Sequence, residues 1–396
     1  MKTKHVILRQ IEAPKTGRPG GTLRGGGGFT AKPAGGESLK IEYDEITAPR
    51  AAEIARNKGI AAIAPVIPMK LIAPVATDKK PAATETAWGV KAVGADTSPF
   101  DGDGVIIAVL DTGIDADHPA FKGVNLIRRN FTTEVENDIH GHGTHCAGTI
   151  FGRDINGKRI GVAPGIKTAL IGKILGEGGG GSDVVLEGIE WARQNGANIV
   201  SMSIGIDFPG YVRELTLQGI PVDLATSMAL EGYRTNVHLF ESLASMIKAF
   251  GEFRQSCLLI AAAGNESRRD ENPDYEIAVS PPAVAEGIIS VGALNNEQGG
   301  FSVAPFSNAG ARVSAPGVMV LSAKAGGGLA TMSGTSMATP HVAGVAALWA
   351  QKIKKSSTLT YTLFMDRLLG SATNAGMKAG FDPSDVGAGL IRAPQD

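Results

Sequence analysis

Five short, predominantly apolar runs dominate the chain: VIIAVL (105–110), IKTALIGKIL (166–175), NIVSMSI (198–204), CLLIAAA (257–263) and EGIISVGAL (286–294). They lack the polar alternation of a strand with one wet face, so each reads as a strand buried on both sides, the pattern of a parallel sheet between helices. Helical segments separate them. SDVVLEGIEWARQNG closes on a glycine, and FESLASMIKAFGEF places apolar residues at 240, 243, 247, 250 and 253. Met337–Lys352 is a long small-residue helix, with another expected over Leu359–Leu369. From Trp88 onward the expected fold is therefore α/β, a central, mainly parallel sheet flanked by helices. With 396 residues, 43% of them apolar, the chain has enough material for one large core and a small accessory domain.

The first 80 residues read differently. HVILRQI (5–11) and SLKIEYDEI (38–46) are strand-like, separated by a Gly/Pro-rich stretch over Pro14–Gly36. A short polar helix is expected over Ala48–Lys58, closed by Gly59, followed by the strand IAAIAPVIP, so that a small β-α-β unit with an open sheet results. Residues 71–87 have the composition of a linker. The basic N-terminus has only a short apolar run before Arg9, well below the roughly 7–15 residues of a secretory signal. No run approaches the roughly 18 apolar residues of a membrane span. A cytoplasmic location is the expectation, with non-standard export left open. A net charge of −1 offers no basic field for nucleic acid or anionic lipid. Two cysteines, Cys146 and Cys257, cannot build a disulfide framework and are expected as free thiols.

Chemistry concentrates in four short segments. Asp111 directly follows VIIAVL, at the C-terminal end of a buried strand, where open α/β sheets build their sites. His142 lies in HGHGTHCAGT, with Gly141 and Gly143 allowing tight backbone packing around it; His140 and His145 are its rivals. The metalloprotease helix motif needs a Glu after its first His, and none is present, so no metal site is expected. Ser336 lies in GTSMATP at the start of a helix, where unpaired N–H groups can meet a developing oxyanion. Asn265 follows CLLIAAA through Gly264 and offers a carboxamide donor. Taken singly, these are a turn aspartate, a structural histidine, a helix cap and a turn asparagine. Together they are an acid, a base, a nucleophile and an oxyanion donor, the parts that acyl transfer requires.

The order Asp, His, Ser and the motifs DTGID, HGTHCAG, GVAP (161–164), SMSIG, AAAGNE, GTSMATPHVAG and the closing GAGLIRA (387–393) resemble the subtilisin-like serine proteases, over roughly residues 88–395. The resemblance implies a three-layer subtilisin-like fold. It implies that Ser336 attacks the scissile carbonyl, that His142 takes and returns the proton, and that Asp111 orients His142. The Asn265 side chain and the Ser336 N–H would form the oxyanion hole. Substrate, an extended peptide or protein, would add as a strand between Ser203-Ile204-Gly205 and the glycine run containing Gly179, Gly180 and Gly181, with Ala262, Ala263 and Gly264 walling the primary pocket. Small apolar walls suggest room for a sizeable apolar side chain.

Residues 1–75 resemble a shortened propeptide, an inhibitor and folding chaperone removed by self-cleavage. On this reading 76–87 is a linker, 88–396 the catalytic domain, and Met69–Ala83 the tail that carries the cut. Three departures stand out. Cys146 replaces the valine common after HGTH. In cysteine-bearing members this thiol lies beneath the catalytic histidine and confers mercury sensitivity. Ala120 stands where the strong calcium site takes a carboxylate, and the loop FGRDINGKRI adds Arg153, Lys158 and Arg159, leaving Asp154 and Asn156 as possible ligands; no cofactor is expected to be required, with calcium open elsewhere. Finally, an insertion over about 206–237 follows the substrate edge and could cap the cleft or be inert. Two other functions fit the sequence: a processing protease for one peptide precursor, and a non-catalytic binding protein on the same fold.

Overall fold

The computed structural model describes residues 2–11, 38–75 and 85–396. The Gly/Pro-rich stretch and most of the expected linker lie outside the described residues. The chain divides into two compact units, Met1–Val66 and Ile67–Asp396.

In the first unit, β1 (Thr3–Ile11) runs antiparallel to both β2 (Ser38–Ile46) and β3 (Ile60–Pro65), giving the order β2-β1-β3. Helix α1 (Ala48–Ile54) carries Pro49 in its first turn and buries Ala51 and Ile54 with Ile7 and Ile46. The β-α-β arrangement is as expected, but the helix stops at Ile54 rather than Lys58. Asn57 closes it with a turn, its N–H on the Ile54 carbonyl and its own carbonyl taking the Ile60 N–H. The run IAAIAPVIP also divides. Its strand ends at Pro65, which has no N–H to extend a ladder, and Ile67-Pro68 open the second unit.

In the second unit, β4 (Pro68–Leu71) and α2 (Trp88–Ala92) precede β5 (Ile106–Asp111), β6 (Asn125–Asn130), α3 (His142–Phe151), β7 (Thr168–Lys173), β8 (Gly180–Gly181), α4 (Ser182–Gln194), β9 (Ile199–Met202) and β10 (Ile204–Ile206). There follow α5 (Phe208–Leu217), α6 (Val222–Phe253), β11 (Leu258–Ala262), β12 (Ile288–Glu297), β13 (Gly300–Val303), β14 (Val313–Pro316), α7 (Thr335–Ser356) and α8 (Tyr361–Leu369). The central eight-stranded sheet has the order β13-β12-β11-β9-β5-β7-β6, with β14 also on β12, and only β13 pairs antiparallel. All five apolar runs are strands of this sheet.

Alternation along β5 makes the three layers. Ile107 and Val109 belong to the core shared with α3 and α7, whereas Leu110 meets α4 at Gly188. The strand order reverses about β5. The chain proceeds to β6 and β7 on one side and to β9, β11 and β12 on the other, so a crevice opens at the C-terminal ends of β5 and β9. Strand β6, NLIRRN, carried no apolar signal because it is the sheet edge, where charged side chains are tolerated.

The insertion is helical. Asp207 caps α5 by accepting the Gly210 N–H (3.2 Å). The 32-residue α6 runs unbroken through the second half of the insertion and the expected helix over 240–253. Leu215, Ala225 and Ala229 form a small seam with Phe208, Tyr211 and Met228, so the α5–α6 hairpin has a core of its own.

Candidate active site

Asp111 ends β5 almost wholly buried, and its Oδ1 accepts both the Thr112 N–H (2.7 Å) and the His142 ring at Nδ1 (2.8 Å). His142 is the first residue of α3. Its approach to β5 requires a residue without Cβ at position 143: a methyl there would lie 2.2 Å from the Gly113 carbonyl oxygen. The Asp138 carboxylate ties this corner together. It accepts from Thr112 Oγ1 (2.9 Å), the Gly141 N–H (2.8 Å), and the N–H (2.8 Å) and hydroxyl (2.6 Å) of Thr144. With the His140 N–H (3.2 Å) also donating to Oδ1, five hydrogen bonds fix the histidine-bearing turn to one buried acid, a network of high local cost to break. Asp138 was not singled out in the sequence; a carboxylate just before a glycine-rich turn was the available signal.

The rival histidines separate by environment. His140 is exposed. His145 is buried with Nε2 on the Val320 carbonyl (3.0 Å), and burial pushes it down to about 3, so it stays neutral. His142 differs. Burial disfavours its charged form, but the Asp111 carboxylate bound at Nδ1 outweighs that and holds it well above the ordinary histidine value of 6.5. Its Nε2 is buried with no hydrogen-bond partner among the described residues. Cys146 lies one turn along α3, with Sγ 3.7 Å from His142 Nδ1 and 3.4 Å from the Ser336 carbonyl oxygen. Burial raises this thiol above its ordinary value, keeping it protonated. The ligand atoms of Asp111, His142 and Cys146 lie within 4.8 Å of one another, the one such set among the described residues, and a soft thiophilic cation is what that donor set would suit.

Ser336 sits in the first turn of α7. Asn265 is locked beside it, its Oδ1 accepting the Thr335 N–H and hydroxyl (both 2.9 Å), which turns Nδ2 outward. Thr335, also missed in the sequence, ties the two segments by donating to Asn265 while accepting the Gly264 N–H (3.2 Å). Ala262 ends β11 and, with Ala263, is fully buried; Gly264 leads from there to Asn265.

A strand of the chain itself lies along this crevice. β4 pairs antiparallel with β10 (Leu71 with Ile204, Lys70 with Gly205, Met69 with Ile206) and with β8 (Met69 with Gly180, Pro68 with Gly181). Ser203 carries on the ladder, its carbonyl accepting the Ile72 N–H (3.2 Å). Gly179, at φ +82, admits the strand, since a Cβ there would lie 2.4 Å from the Met69 carbonyl oxygen. Met69 and Ile72 are buried, with Ile72 packed against Gly205. Ser336 Oγ donates to the Ile72 carbonyl (2.8 Å), Asn265 Nδ2 to the Ala73 carbonyl (2.9 Å), and the Val75 N–H to the Ser333 carbonyl (2.7 Å). The structure thus brings Asp111 and His142 into contact, and Ser336 and Asn265 onto adjacent carbonyls of one strand. Both edges assigned to substrate hold that strand. Leu71–Val75, linker-like in composition, is part of it.

The loop where a calcium site was weighed carries two arginines bound to backbone carbonyls. Arg153 donates to the carbonyls of Phe151, Pro164 and Ile166, and Arg159 to those of Ala95, Gly161 and Val162. Guanidinium charge at both ends of the loop disfavours a further cation there. Across the crevice, the buried Lys173 meets Glu134 (3.2 Å), whose other oxygen accepts the Glu177 N–H (2.7 Å), steadying the glycine loop. A lysine near the C-terminal end of an apolar run was its only sequence signal.

Comparison with known proteins agrees with this geometry. The family model described as "Subtilase family" matches residues 102–388. An "Intracellular serine protease" of Paenibacillus polymyxa is 37% identical over 258 residues, covering 63% of this chain and 68% of the relative. "Subtilisin DY" of Bacillus licheniformis is 31% identical over 309 residues, 77% of this chain and 96% of the relative. "Subtilisin Savinase" of Lederbergia lenta is 32% identical over 320 residues, 78% of this chain and 98% of the relative. The chain belongs to the subtilase family and is a subtilisin-like serine protease, with a peptide or protein substrate. Among the described residues, no helix is long and apolar enough to cross a membrane.

Proposed function

We propose that the chain is a serine endopeptidase made as a self-processing precursor, with Asp111, His142 and Ser336 as its triad. The observation that carries this reading is Ser336 Oγ at 2.8 Å from the carbonyl oxygen of a β-paired strand, with Asn265 Nδ2 donating to the next carbonyl. Ser336 attacks and His142 Nε2 accepts its proton. Asp111 holds Nδ1–H and stabilises the imidazolium without taking the proton. As the tetrahedral oxyanion forms, Asn265 Nδ2 and the N–H groups leading α7 receive it. Substrate binds as the third strand between β8 and β10, with Ala262, Ala263 and Gly264 walling the pocket of the residue before the cut.

The N-terminal unit acts as a propeptide, and β4 with Ile72–Val75 is its tail. The bond presented to Ser336 is Ile72–Ala73. The strand as seated is inhibitory. Ser336 is engaged with the Ile72 oxygen while the Asn265 donor is held by Ala73, so cutting requires the Ile72 carbonyl to turn onto Asn265. The arginines at both ends of that loop support function without calcium there. A cytoplasmic site of action is in keeping with the name of the Paenibacillus relative. A fluorophosphonate probe followed by peptide mapping tests the reading: Ser336 is expected to carry the label in wild type and not in His142→Ala. Failure to label Ser336 in processed enzyme would instead support a binding protein on this fold.

A further inference from the structure

Lys70 lies two residues before Ile72 on the seated strand, opposite Gly205. Its ammonium donates to Asp207 Oδ1 (3.2 Å) and lies 4.0 Å from Glu266 Oε1. Neither carboxylate depends on the lysine for its position. Asp207 is fixed as the cap of α5, and its N–H reaches the Pro68 carbonyl (3.4 Å). Glu266 is held by Asn308, whose Nδ2 donates to Oε2 (2.8 Å) and whose Oδ1 accepts the Glu266 N–H (3.0 Å). Beyond Glu266, a surface depression is lined by Asp274 and Glu276, with Arg268 the one cation among its walls. The crevice therefore presents two anchored carboxylates to one strand position, and this chain's own strand fills that position with a cation.

We propose that Asp207, assisted by Glu266, makes this peptidase select lysine or arginine at the third residue before the bond it cuts. This rests on the peptidase reading above and on β4 marking the path of substrate. The insertion thereby has a function: its first residue after β10 reads the substrate, and α5 and α6 hold that residue in place. The three side chains are 40%, 35% and 39% exposed, so water and salt screen the attraction, and the selection is moderate and falls with ionic strength.

The test uses the purified protein after self-processing, with quenched peptides copying Pro68–Val75 and carrying Lys, Gln or Glu at the Lys70 position. The Lys peptide is expected to exceed the Glu peptide about tenfold in kcat/KM at low salt, mainly through KM, and less in about 0.5 M salt. Asp207→Asn keeps an oxygen for the Gly210 N–H and should shrink the ratio to about twofold; Asp207→Lys should invert it. Equal cleavage of all three peptides by wild type, or an unchanged ratio in both variants, would overturn the inference and leave the peptidase reading standing. No cleavage of any peptide would overturn that reading, and this one with it.

Discussion

At the scale of single residues, the proposed acid–base work falls on His142 and its poise on Asp111. His142 must be neutral to accept the Ser336 proton, and its folded value is raised above 6.5. Activity should therefore be lost as pH falls through that raised value and be complete above it. A kcat/KM profile checks this; a plateau reaching unchanged to pH 5 would contradict it. In Asp111→Asn, burial is left to act on the imidazole without its counter-charge, so the limb should move to lower pH while kcat falls by about 10³–10⁴. Asn265→Ala should cost about 10²–10³ in kcat, the range known for removing this donor in subtilisin itself, with the Thr335 anchor also lost. These residues were legible because each sits in a motif whose neighbours are dictated by the geometry: Gly143 under Gly113, Asn265 between Gly264 and Thr335. Asp138 was not legible, since its role depends on bonds from Thr112 and Thr144 that only the folded turn brings together.

At the scale of elements, local pattern was a good guide wherever burial was two-sided. The runs around Ile107, Leu170, Val200, Ile260 and Ile289 could be strands of little else than a covered sheet. It was a poor guide at edges. NLIRRN pairs only with β7 and carries its charges outward, and β4 was not read as a strand of its own because its partners, Gly180 and Gly205, are distant in sequence. The insertion was read as a possible cap; it is a helical hairpin whose Asp207 touches the seated strand. The loop 151–160 has its own test. With Arg159 serving three carbonyl oxygens, chelator should leave the melting temperature of the protein unchanged, whereas Arg159→Ala should destabilise by about 1–3 kcal/mol through unpaired buried carbonyls. A fall in melting temperature on adding chelator would contradict this.

At the scale of the whole molecule, the sequence changes pattern near residue 80, whereas the structural divide falls at Val66/Ile67. Composition could not locate it, because Ile67–Val75 is apolar enough for either unit and is assigned by hydrogen bonds to Ser182, Ser203, Asn265 and Ser336. That segment ties the reading together: it is bound as a substrate strand would be, by the groups expected to cut it. The most direct measurement is intact-mass spectrometry of purified wild type beside Ser336→Ala. The wild-type chain is expected to have lost everything before Ala73 and the mutant to retain its N-terminal unit. Equal shortening of both would assign the cut to another protease, and retention of the N-terminal unit by both would contradict self-processing.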